Sequence, residues 1–263
     1  MQLDLTSHRA LVGGSTQGIG RAVAEELAQL GATVTLLARN EASLQQAVAE
    51  LPRPQGQLHD YLVADFTDPD QLASRLHEYL AAHPAGFHTL VNNTGGPAGG
   101  PILAAPVQAF RTAFEQHLVC NHLLVQAVVP AMQARGYGRI INIISTSVKQ
   151  PLAGLGVSNT IRAAVANWAK TLANELGGSG ITVNNVLPGA TVTQRHTSLI
   201  EKRVEQTGQT VEEIEATMLR SIPAGRFGQA AEVAAAVAFL AAPAAAYING
   251  INVPVDGGRT GNL

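Results

Sequence analysis

Cysteine, aromatic residues and charge are all scarce in this chain of 263 residues. The single cysteine, Cys120, excludes an intrachain disulfide and a cysteine-rich metal site. Its neighbours are apolar, so we interpret it as a small buried residue rather than a reactive thiol. Aromatic residues make up 4% of the chain and charged residues 14%, whereas 46% is hydrophobic. That hydrophobic share can fill a core on both faces of a sheet and argues against intrinsic disorder.

Charge of either sign is also unclustered. Seventeen Lys and Arg residues stand against 19 Asp and Glu residues, the formal net charge is −2, and basic residues form no run. This gives no electrostatic reason to expect nucleic acid or an anionic membrane as a partner. Residues 1–9 contain no signal-peptide core, and no window reaches the ~18 consecutive apolar residues of a membrane span. We therefore expect a cytoplasmic protein without a metal site.

Short apolar runs alternate with longer segments of helical period along the chain. Strands are predicted over residues 9–12, 33–37, 58–63, 88–91, 139–144, 181–187 and 251–255. Helices are predicted over residues 18–30, 41–51, 69–82, 107–135, 155–177 and 230–242. Strands separated by helices of this length pair in parallel through right-handed crossovers. The pattern predicts an α/β fold with a doubly wound sheet.

No linker-like stretch or internal repeat interrupts this alternation, so we predict one domain over residues 1–263. Residues 190–225 are less regular and include a polar, helix-like stretch, 201–220, that Gly208 interrupts. Loops at the carboxyl ends of strands carry function in such sheets. This segment is a candidate substrate lid.

The turn after the first strand is rich in glycine. Gly14 suits a tight turn, Gly18 lets the backbone approach a diphosphate, and Gly20 allows close packing of helix on strand. The amino end of the following helix offers free N–H groups and a partial positive charge to phosphates. A β–α turn without a ligand can also use glycine. The predicted dinucleotide contacts in this turn are Gly14, Ser15, Thr16, Gln17, Gly18 and Ile19.

The second strand is followed by Arg39 rather than by an acidic residue. A carboxylate there would bind the ribose 2′-hydroxyl of NAD(H), whereas an arginine can pair with a 2′-phosphate. We therefore favour NADP(H) over NAD(H), the alternative being a solvated surface arginine. Asp65, after the third strand, can accept a hydrogen bond from an adenine amino group or can cap the helix that begins near Pro69.

A set of motifs occurs in one order over nearly the whole chain. They are Gly14-x3-Gly18-x-Gly20, Asp65, Asn92-Asn93-Thr94-Gly95, Ser145, Pro188-Gly189 with Thr193, and Val255-Asp256-Gly257-Gly258. In this combination the chain resembles the short-chain dehydrogenase/reductase family, nearest to its β-ketoacyl-carrier-protein-reductase-like branch. The resemblance implies a seven-stranded parallel Rossmann sheet with helices on both faces, NAD(P)(H) binding, hydride transfer between a carbonyl and an alcohol, and a homo-oligomer, usually a homotetramer. It adds as coenzyme contacts Phe66, Asn93, Thr94, Gly95, Pro188, Gly189, Thr191 and Thr193.

The resemblance fails at the expected catalytic positions. Family members carry a serine, a tyrosine thirteen residues later, a lysine four further on, and an asparagine on the preceding long helix. Counting from Ser145 gives Ser158 and Arg162, and His117 stands where the asparagine belongs, with Asn121 one turn on. A phenol of pKa ~10 can be brought toward neutrality by a nearby cation, but a serine hydroxyl is a far weaker acid. Arginine keeps its charge and does not relay protons.

Other proton-transfer groups are few. Tyr137 precedes the strand that ends near Ser145, so we expect it at the opposite edge of the sheet. His117 titrates in the right range if it faces the cleft, but it can equally be structural. Lys149 and His196 are weaker candidates, as a loop lysine and a lid histidine. Ser145 remains the best-placed donor to a substrate oxygen.

Three functions fit these residues. The first is an atypical NADP(H)-dependent oxidoreductase of a small carbonyl or alcohol, in which Ser145 polarises the carbonyl, Arg162 anchors ribose or an anionic substrate, and water or His117 delivers the proton. The second is a dinucleotide-binding sensor or assembly subunit with little dehydrogenase activity. The third is non-redox chemistry, such as elimination or hydration, with Ser158 and Arg162. The helices over 107–135 and 155–177 are the expected oligomer interface.

Overall fold

Seven parallel strands form the central sheet of this computed structural model, which describes residues 1–262. In chain order they are β1 (Arg9–Gly13), β2 (Thr33–Ala38), β3 (Asp60–Val63), β4 (Thr89–Asn92), β5 (Gly138–Ile143), β6 (Ile181–Pro188) and β9 (Asn252–Val255). Their order across the sheet is β3-β2-β1-β4-β5-β6-β9. The predicted seven-stranded parallel Rossmann sheet is confirmed.

Helices cover both faces of this sheet. They are α1 (Gly18–Gln29), α2 (Glu41–Glu50), α3 (Pro69–Ala82), α4 (Val107–Phe114), α5 (Cys120–Arg135), α6 (Gly156–Leu176), α7 (Gln194–Thr207), α8 (Val211–Leu219) and α9 (Ala230–Ala241). Alternate side chains of one strand enter two separate cores: Val12 packs with α1 and α9, and Leu11 packs with α3 and α5. None of the helices within residues 1–262 combines the length and apolar character needed to cross a membrane.

Three details differ from the sequence-based prediction. The helix predicted over 107–135 is divided by a π-helical segment, Glu115–Val119, that joins α4 to α5. The helix predicted from residue 201 begins earlier, at Gln194, where the Thr193 side chain caps it, and it ends at Gly208 as expected. A second parallel pair, β7 (Thr191–Val192) with β8 (Gly228–Gln229), was not predicted because two-residue strands leave no periodicity to read.

A ladder of asparagine side chains crosses four neighbouring strands. Asn92, Asn142, Asn185 and Asn252 are register partners on β4, β5, β6 and β9. Each Nδ2 donates to the Oδ1 of the next, at 2.8, 2.9 and 2.8 Å. Buried amides are tolerated when they bond to one another in this way, and among the buried side-chain atoms of the ladder only the Asn92 Oδ1, at its end, lacks a partner within residues 1–262. The ladder fixes the register of these strands, near the carboxyl ends of β4 and β5, in the middle of β6 and at the amino end of β9.

The strand order reverses between β1 and β4. In an open α/β sheet such a reversal leaves a crevice beyond the carboxyl ends of the two strands, where ligands bind. The glycine-rich turn after β1 and residues 93–96 after β4 flank this crevice, and both line the same cavity.

Candidate active site

A cavity of about 620 Å³ occupies the crevice beside the glycine-rich turn. Gly14 and Gly18 have φ angles of +56° and +58°, a conformation that favours glycine. A Cβ at Gly20 would lie 2.2 Å from the Gly14 carbonyl oxygen and 2.7 Å from Nδ2 of Asn93. The Gly14 backbone and the Asn93 side chain therefore come so close that only glycine fits at residue 20.

The glycine-rich turn and the amino end of α1 together form a place where an anion can bind in the larger cavity. Asn93 donates from Nδ2 to the carbonyl oxygens of Gly13 and Gly14, at 3.1 and 3.3 Å, which holds the turn in place. Helix α1 begins directly after Gln17, and no side chain of residues 1–262 caps its first N–H groups. Free N–H groups at a helix amino end, with the positive end of its dipole, favour a phosphate.

Most of the predicted coenzyme contacts meet in this larger cavity. Those that line it are Gly14, Thr16, Gln17, Gly18, Ile19, Arg39, Asp65, Phe66, Asn93, Thr94, Gly95 and Thr193. Ser15 does not belong with them: it is fully buried, and its Oγ accepts a hydrogen bond from Leu37 N–H at 3.1 Å. The Ser15 side chain ties the turn to β2 instead of facing a ligand.

The two interpretations of Asp65 separate in the structure. The helix cap is Asp68, whose side chain accepts from Gln71 N–H at 3.0 Å. Asp65 accepts from Thr67 N–H at 2.9 Å and lines the larger cavity. The capping interpretation of Asp65 is therefore wrong, and the residue belongs to the wall of the larger cavity. Arg39, exposed at the end of β2, lines the same cavity.

A smaller cavity of about 250 Å³ adjoins the larger one, and both share Asn93, Thr94 and Thr193. Its remaining predicted residues are Ser145, Ser158, Arg162, Pro188, Gly189 and Thr191. The elements that bring them together are the carboxyl ends of β5 and β6 and the first two turns of α6. The sequence spacing of thirteen and four residues thus does place a serine, a second serine and an arginine around one space.

Ser145 and Arg162 differ in how they are held. Ser145 follows β5 in an extended conformation, and its Oγ accepts from Ser147 N–H at 3.1 Å, which leaves the hydroxyl hydrogen free to donate. Arg162 is buried and donates from Nη1 to the Ile143 carbonyl oxygen at 2.9 Å. Burial lowers the pKa of Arg162 to about 10, so the guanidinium keeps its charge at neutral pH.

His117 lies in the π-helical segment and is 1% exposed. Burial, followed by the charges of Arg162 and Arg195, lowers its pKa to about 2. The ring is therefore neutral at pH 7 and has no imidazolium proton to deliver. Its Nε2 is buried and, within residues 1–262, has no hydrogen-bond partner. These observations count against the predicted proton delivery by His117, since an imidazole with an ordinary pKa was the premise.

No tyrosine or lysine of the described chain lines either cavity. Tyr137 lies at the amino ends of the strands, beside His8 and His88, and its hydroxyl donates to the Ala241 carbonyl oxygen at 2.9 Å. Its predicted place at the opposite edge of the sheet is confirmed. Lys149 follows the short helix after Ser145 and does not line the smaller cavity.

Sequence reasoning missed several residues that come from distant parts of the chain. Arg195 of α7 lines both cavities and donates to the carbonyl oxygens of Gly96 and Pro97, at 2.8 and 2.9 Å. Arg259, from the last segment, also lines the smaller cavity. His196, by contrast, was a candidate from the sequence as a lid histidine, and it does line the smaller cavity, with its ring 4.6 Å from that of Phe227. The only sequence signal for Arg195 was its position two residues after Thr193.

A family model described as Enoyl-(Acyl carrier protein) reductase matches residues 14–260. The chain belongs to the short-chain dehydrogenase/reductase family. The 3-oxoacyl-[acyl-carrier-protein] reductase of Haemophilus influenzae is 35% identical over 251 residues, covering 95% of this chain and 96% of that protein. The reductase of the same name from Escherichia coli K12 is 35% identical over 249 residues, again covering 95% and 96%. The chain is thus an oxidoreductase of this family with a Rossmann fold.

Solved structures of family members are also similar. The L-sorbose reductase from Gluconobacter frateurii, complexed with NADPH and L-sorbose, has a TM-score of 0.92 at 28% identity and covers 100% of both chains. An NADPH-dependent reductase involved in bacilysin biosynthesis has a TM-score of 0.89 at 27% identity, covering 97% of this chain and 99% of the other.

Proposed function

We propose that this protein is an atypical oxidoreductase that transfers hydride between NADP(H) and a small carbonyl or alcohol substrate. The observation that carries the proposal is the junction of the two cavities. A space shaped like a coenzyme site opens directly into one lined by Ser145, Ser158 and Arg162. One family neighbour was solved in complex with both a coenzyme, NADPH, and a small substrate, L-sorbose. The larger cavity suits a ligand of the first kind and the smaller cavity a ligand of the second kind.

The larger cavity fits a dinucleotide in its diphosphate and ribose regions. The uncapped amino end of α1 would hold the diphosphate, together with the glycine-rich turn, in which Gly14 and Gly20 pack closely against each other. Arg39 would pair with a 2′-phosphate, which favours NADP(H) over NAD(H), and Asp65 would accept from the adenine amino group. When bound, the nicotinamide supplies or accepts the hydride.

The residues of the smaller cavity orient the substrate and manage one proton. Ser145 donates to the substrate oxygen, and Arg162 keeps a positive charge beside the reacting centre without exchanging a proton. Ser158 stands where the family carries its tyrosine. Its hydroxyl is a much weaker acid than a phenol, so it does not replace the tyrosine as a proton donor. We assign proton delivery to water, because His117 is neutral and buried.

The residues over the cleft form a lid in this proposal. Arg195 and Leu199 of α7 and Met218 of α8 line the smaller cavity, so the segment 190–225 covers the substrate side. A lid that excludes water strengthens the electrostatic interactions beneath it.

We also propose a homo-oligomer, a dimer or tetramer, that buries α4, α5 and α6. Apolar side chains are exposed at the start of this surface: Leu103 is 97% exposed, Val107 68% and Phe114 44%. Light scattering on the purified protein tests this, and the mass of a single chain would overturn it.

The test of the main proposal is NADPH oxidation, followed at the nicotinamide absorbance band, with a broad panel of small ketones, aldehydes and keto acids. We expect turnover with some members of the panel. The variant Ser145→Ala should keep NADPH affinity and lose about 100-fold or more in turnover, because it removes the donor to the substrate oxygen. Tight NADPH binding without turnover across the panel would instead favour a sensor or assembly subunit.

A further inference from the structure

The smaller cavity carries positive charge that the protein does not neutralise. Three arginines line it, Arg162, Arg195 and Arg259, and no aspartate or glutamate of residues 1–262 does. None of the three takes part in an ion pair within the described chain. The substrate side of the cleft is therefore cationic, although the whole chain has a net charge of −2.

These guanidinium groups keep many hydrogen-bond donors in reserve. A guanidinium has five N–H donors. Arg162 makes one hydrogen bond, to the Ile143 carbonyl oxygen, and Arg195 makes two, to Gly96 and Pro97. The Arg259 side chain makes no hydrogen bond to any residue in the range 1–262. All three residues line a space that a ligand can enter.

An unpaired buried arginine is costly unless something compensates it. Removing a charge from water carries a large penalty that a partner charge offsets. Arg162 is only 9% exposed, and another cation, Arg195, lines the same cavity. Two cations beside one cavity disfavour each other when it holds water alone and are both stabilised when an anion lies between them. A planar carboxylate matches the paired N–H groups of a guanidinium.

The apolar residues of the smaller cavity indicate which kind of group can pack beside the arginines. Leu152 and Leu155 stand before and at the start of α6, and Leu199 and Met218 approach from α7 and α8. Ile144, at the end of β5, completes an apolar lining. The space measures about 250 Å³, and the nicotinamide would fill part of it, so the portion of the substrate that lies inside it is small.

We propose that the substrate bears a carboxylate, held between Arg162 and Arg195, and a small apolar body that packs against the leucines of the cavity. This rests on the proposed function and narrows its substrate class to carboxylate-bearing carbonyls or alcohols. Arg259, at the edge of the same space, adds attraction for the incoming anion. Ser145 then meets the reacting oxygen at the carboxyl end of β5.

The experiment compares a keto acid with its uncharged ester. The protein is saturated with NADP⁺ in a calorimeter, and then 4-methyl-2-oxopentanoate, its methyl ester and inorganic phosphate are titrated separately. The same titrations are made with Arg195→Gln and with the matched control Arg203→Gln, which removes an exposed arginine of α7 that does not line the cavity. The NADP⁺ step is itself measured for each variant.

We expect the acid to bind at least tenfold more tightly than the ester in the unmodified protein and in Arg203→Gln. In Arg195→Gln the acid should lose about 10- to 100-fold in affinity, the worth of a charge-assisted pair, while the ester and NADP⁺ change less than about threefold. Equal binding of acid and ester, or tighter binding of phosphate than of the acid, overturns the proposal. A parallel loss of NADP⁺ affinity in Arg195→Gln also overturns it, because Arg195 then serves the coenzyme. Failure of NADP⁺ to bind the unmodified protein is a separate result, and it contradicts the proposed function.

Discussion

An arginine without a carboxylate partner among residues 1–262 is buried at each end of the central sheet. One lies at the amino ends of the strands (the amino edge) and the other at their carboxyl ends (the carboxyl edge), and their surroundings differ. At the amino edge Arg139 is 2% exposed, lies 4.1 Å from the ring centroid of Tyr137, and donates to the Gly138 carbonyl oxygen at 2.9 Å. At the carboxyl edge Arg162 makes a single hydrogen bond and borders a cavity of about 250 Å³.

This difference separates a structural arginine from one that awaits a ligand. The Arg139 guanidinium meets an aromatic face and two carbonyl oxygens inside the fold, although its Nε has no hydrogen-bond partner among residues 1–262. The space beside Arg162 is open, so its charge can be compensated only from outside. Burial and residue type are alike at the two edges, and the presence of a cavity is what distinguishes them.

The largest effect on coenzyme binding is expected from adding a side chain in the glycine-rich turn at the carboxyl edge. In Gly20→Ala the new Cβ meets the Gly14 carbonyl oxygen at 2.2 Å, so the turn must shift. We expect stability to fall by about 1–3 kcal/mol and NADPH affinity to fall about 100-fold, because overpacking strains the fold and misplaces the phosphate site. Gly178→Ala is the control, since a Cβ there meets nothing of the described chain within 4 Å. Unchanged NADPH affinity in Gly20→Ala would contradict the assigned phosphate site.

The next effect comes from restoring the residues that the family carries at the carboxyl edge. The double variant Ser158→Tyr with Arg162→Lys places a phenol and an amine beside Ser145. Proton transfer by a positioned group contributes about 100- to 10,000-fold to turnover. We expect the double variant to turn over a small uncharged ketone at least tenfold faster than the parent protein does. NADPH oxidation by the single variants and the double variant measures this. No gain would count against an otherwise intact reductase geometry in the cleft.

Exchanging each buried arginine for methionine sharpens the contrast between the edges. Arg139→Met loses two hydrogen bonds and an aromatic contact, and we expect about 2 kcal/mol less stability with unchanged NADPH affinity. Arg162→Met removes an uncompensated charge, so its stability should stay within about 1 kcal/mol of the parent while turnover is lost. Urea unfolding and NADPH oxidation measure the two properties. The reverse pattern would mean that the two arginines have been assigned to the wrong roles.

The smallest effect is a pH dependence at the amino edge. His88 accepts a hydrogen bond at Nδ1 from Arg9 N–H at 3.0 Å, which requires a neutral ring. Burial, followed by the charge of Arg135, lowers the pKa of His88 from 6.5 to about 4. The unfolded chain therefore binds the proton more readily, and the stabilisation from His88 is complete above pH 6.5 and declines as the pH falls toward 4.

Urea midpoints at pH 7.5 and pH 5.0 measure this decline. His88→Gln should weaken the dependence on pH, and His77→Gln, on the exposed surface of α3, should leave it as it is. An identical pH dependence in His88→Gln and the parent would show that other groups cause it.

Much of the carboxyl edge could be predicted because its residues are local in the sequence. The glycine-rich turn between β1 and α1 carries its geometry in residues 13–20, and the predicted strands agree with the observed ones to within about two residues at their ends. The place of Tyr137 followed from strand direction alone. The role of the Ser15 side chain did not, because its partner, Leu37 N–H, belongs to the neighbouring strand.

The features that escaped prediction depend on contacts between distant segments. The asparagine ladder needs the registers of four strands, which no local pattern encodes. The cationic lining of the smaller cavity joins Arg162, Arg195 and Arg259, which only the folded chain brings together. The low pKa of His117 likewise comes from burial and two arginines that the sequence could not place beside it.

Coenzyme binding by the unmodified protein tests the central claim most directly. Fluorescence titrations with NADPH and with NADH should both saturate, with NADPH bound at least tenfold more tightly through the Arg39 pair with the 2′-phosphate. In Arg39→Ala the two coenzymes should bind with similar affinity. A protein that binds neither coenzyme would contradict the assignment of the larger cavity as a dinucleotide site, and with it the proposed reaction.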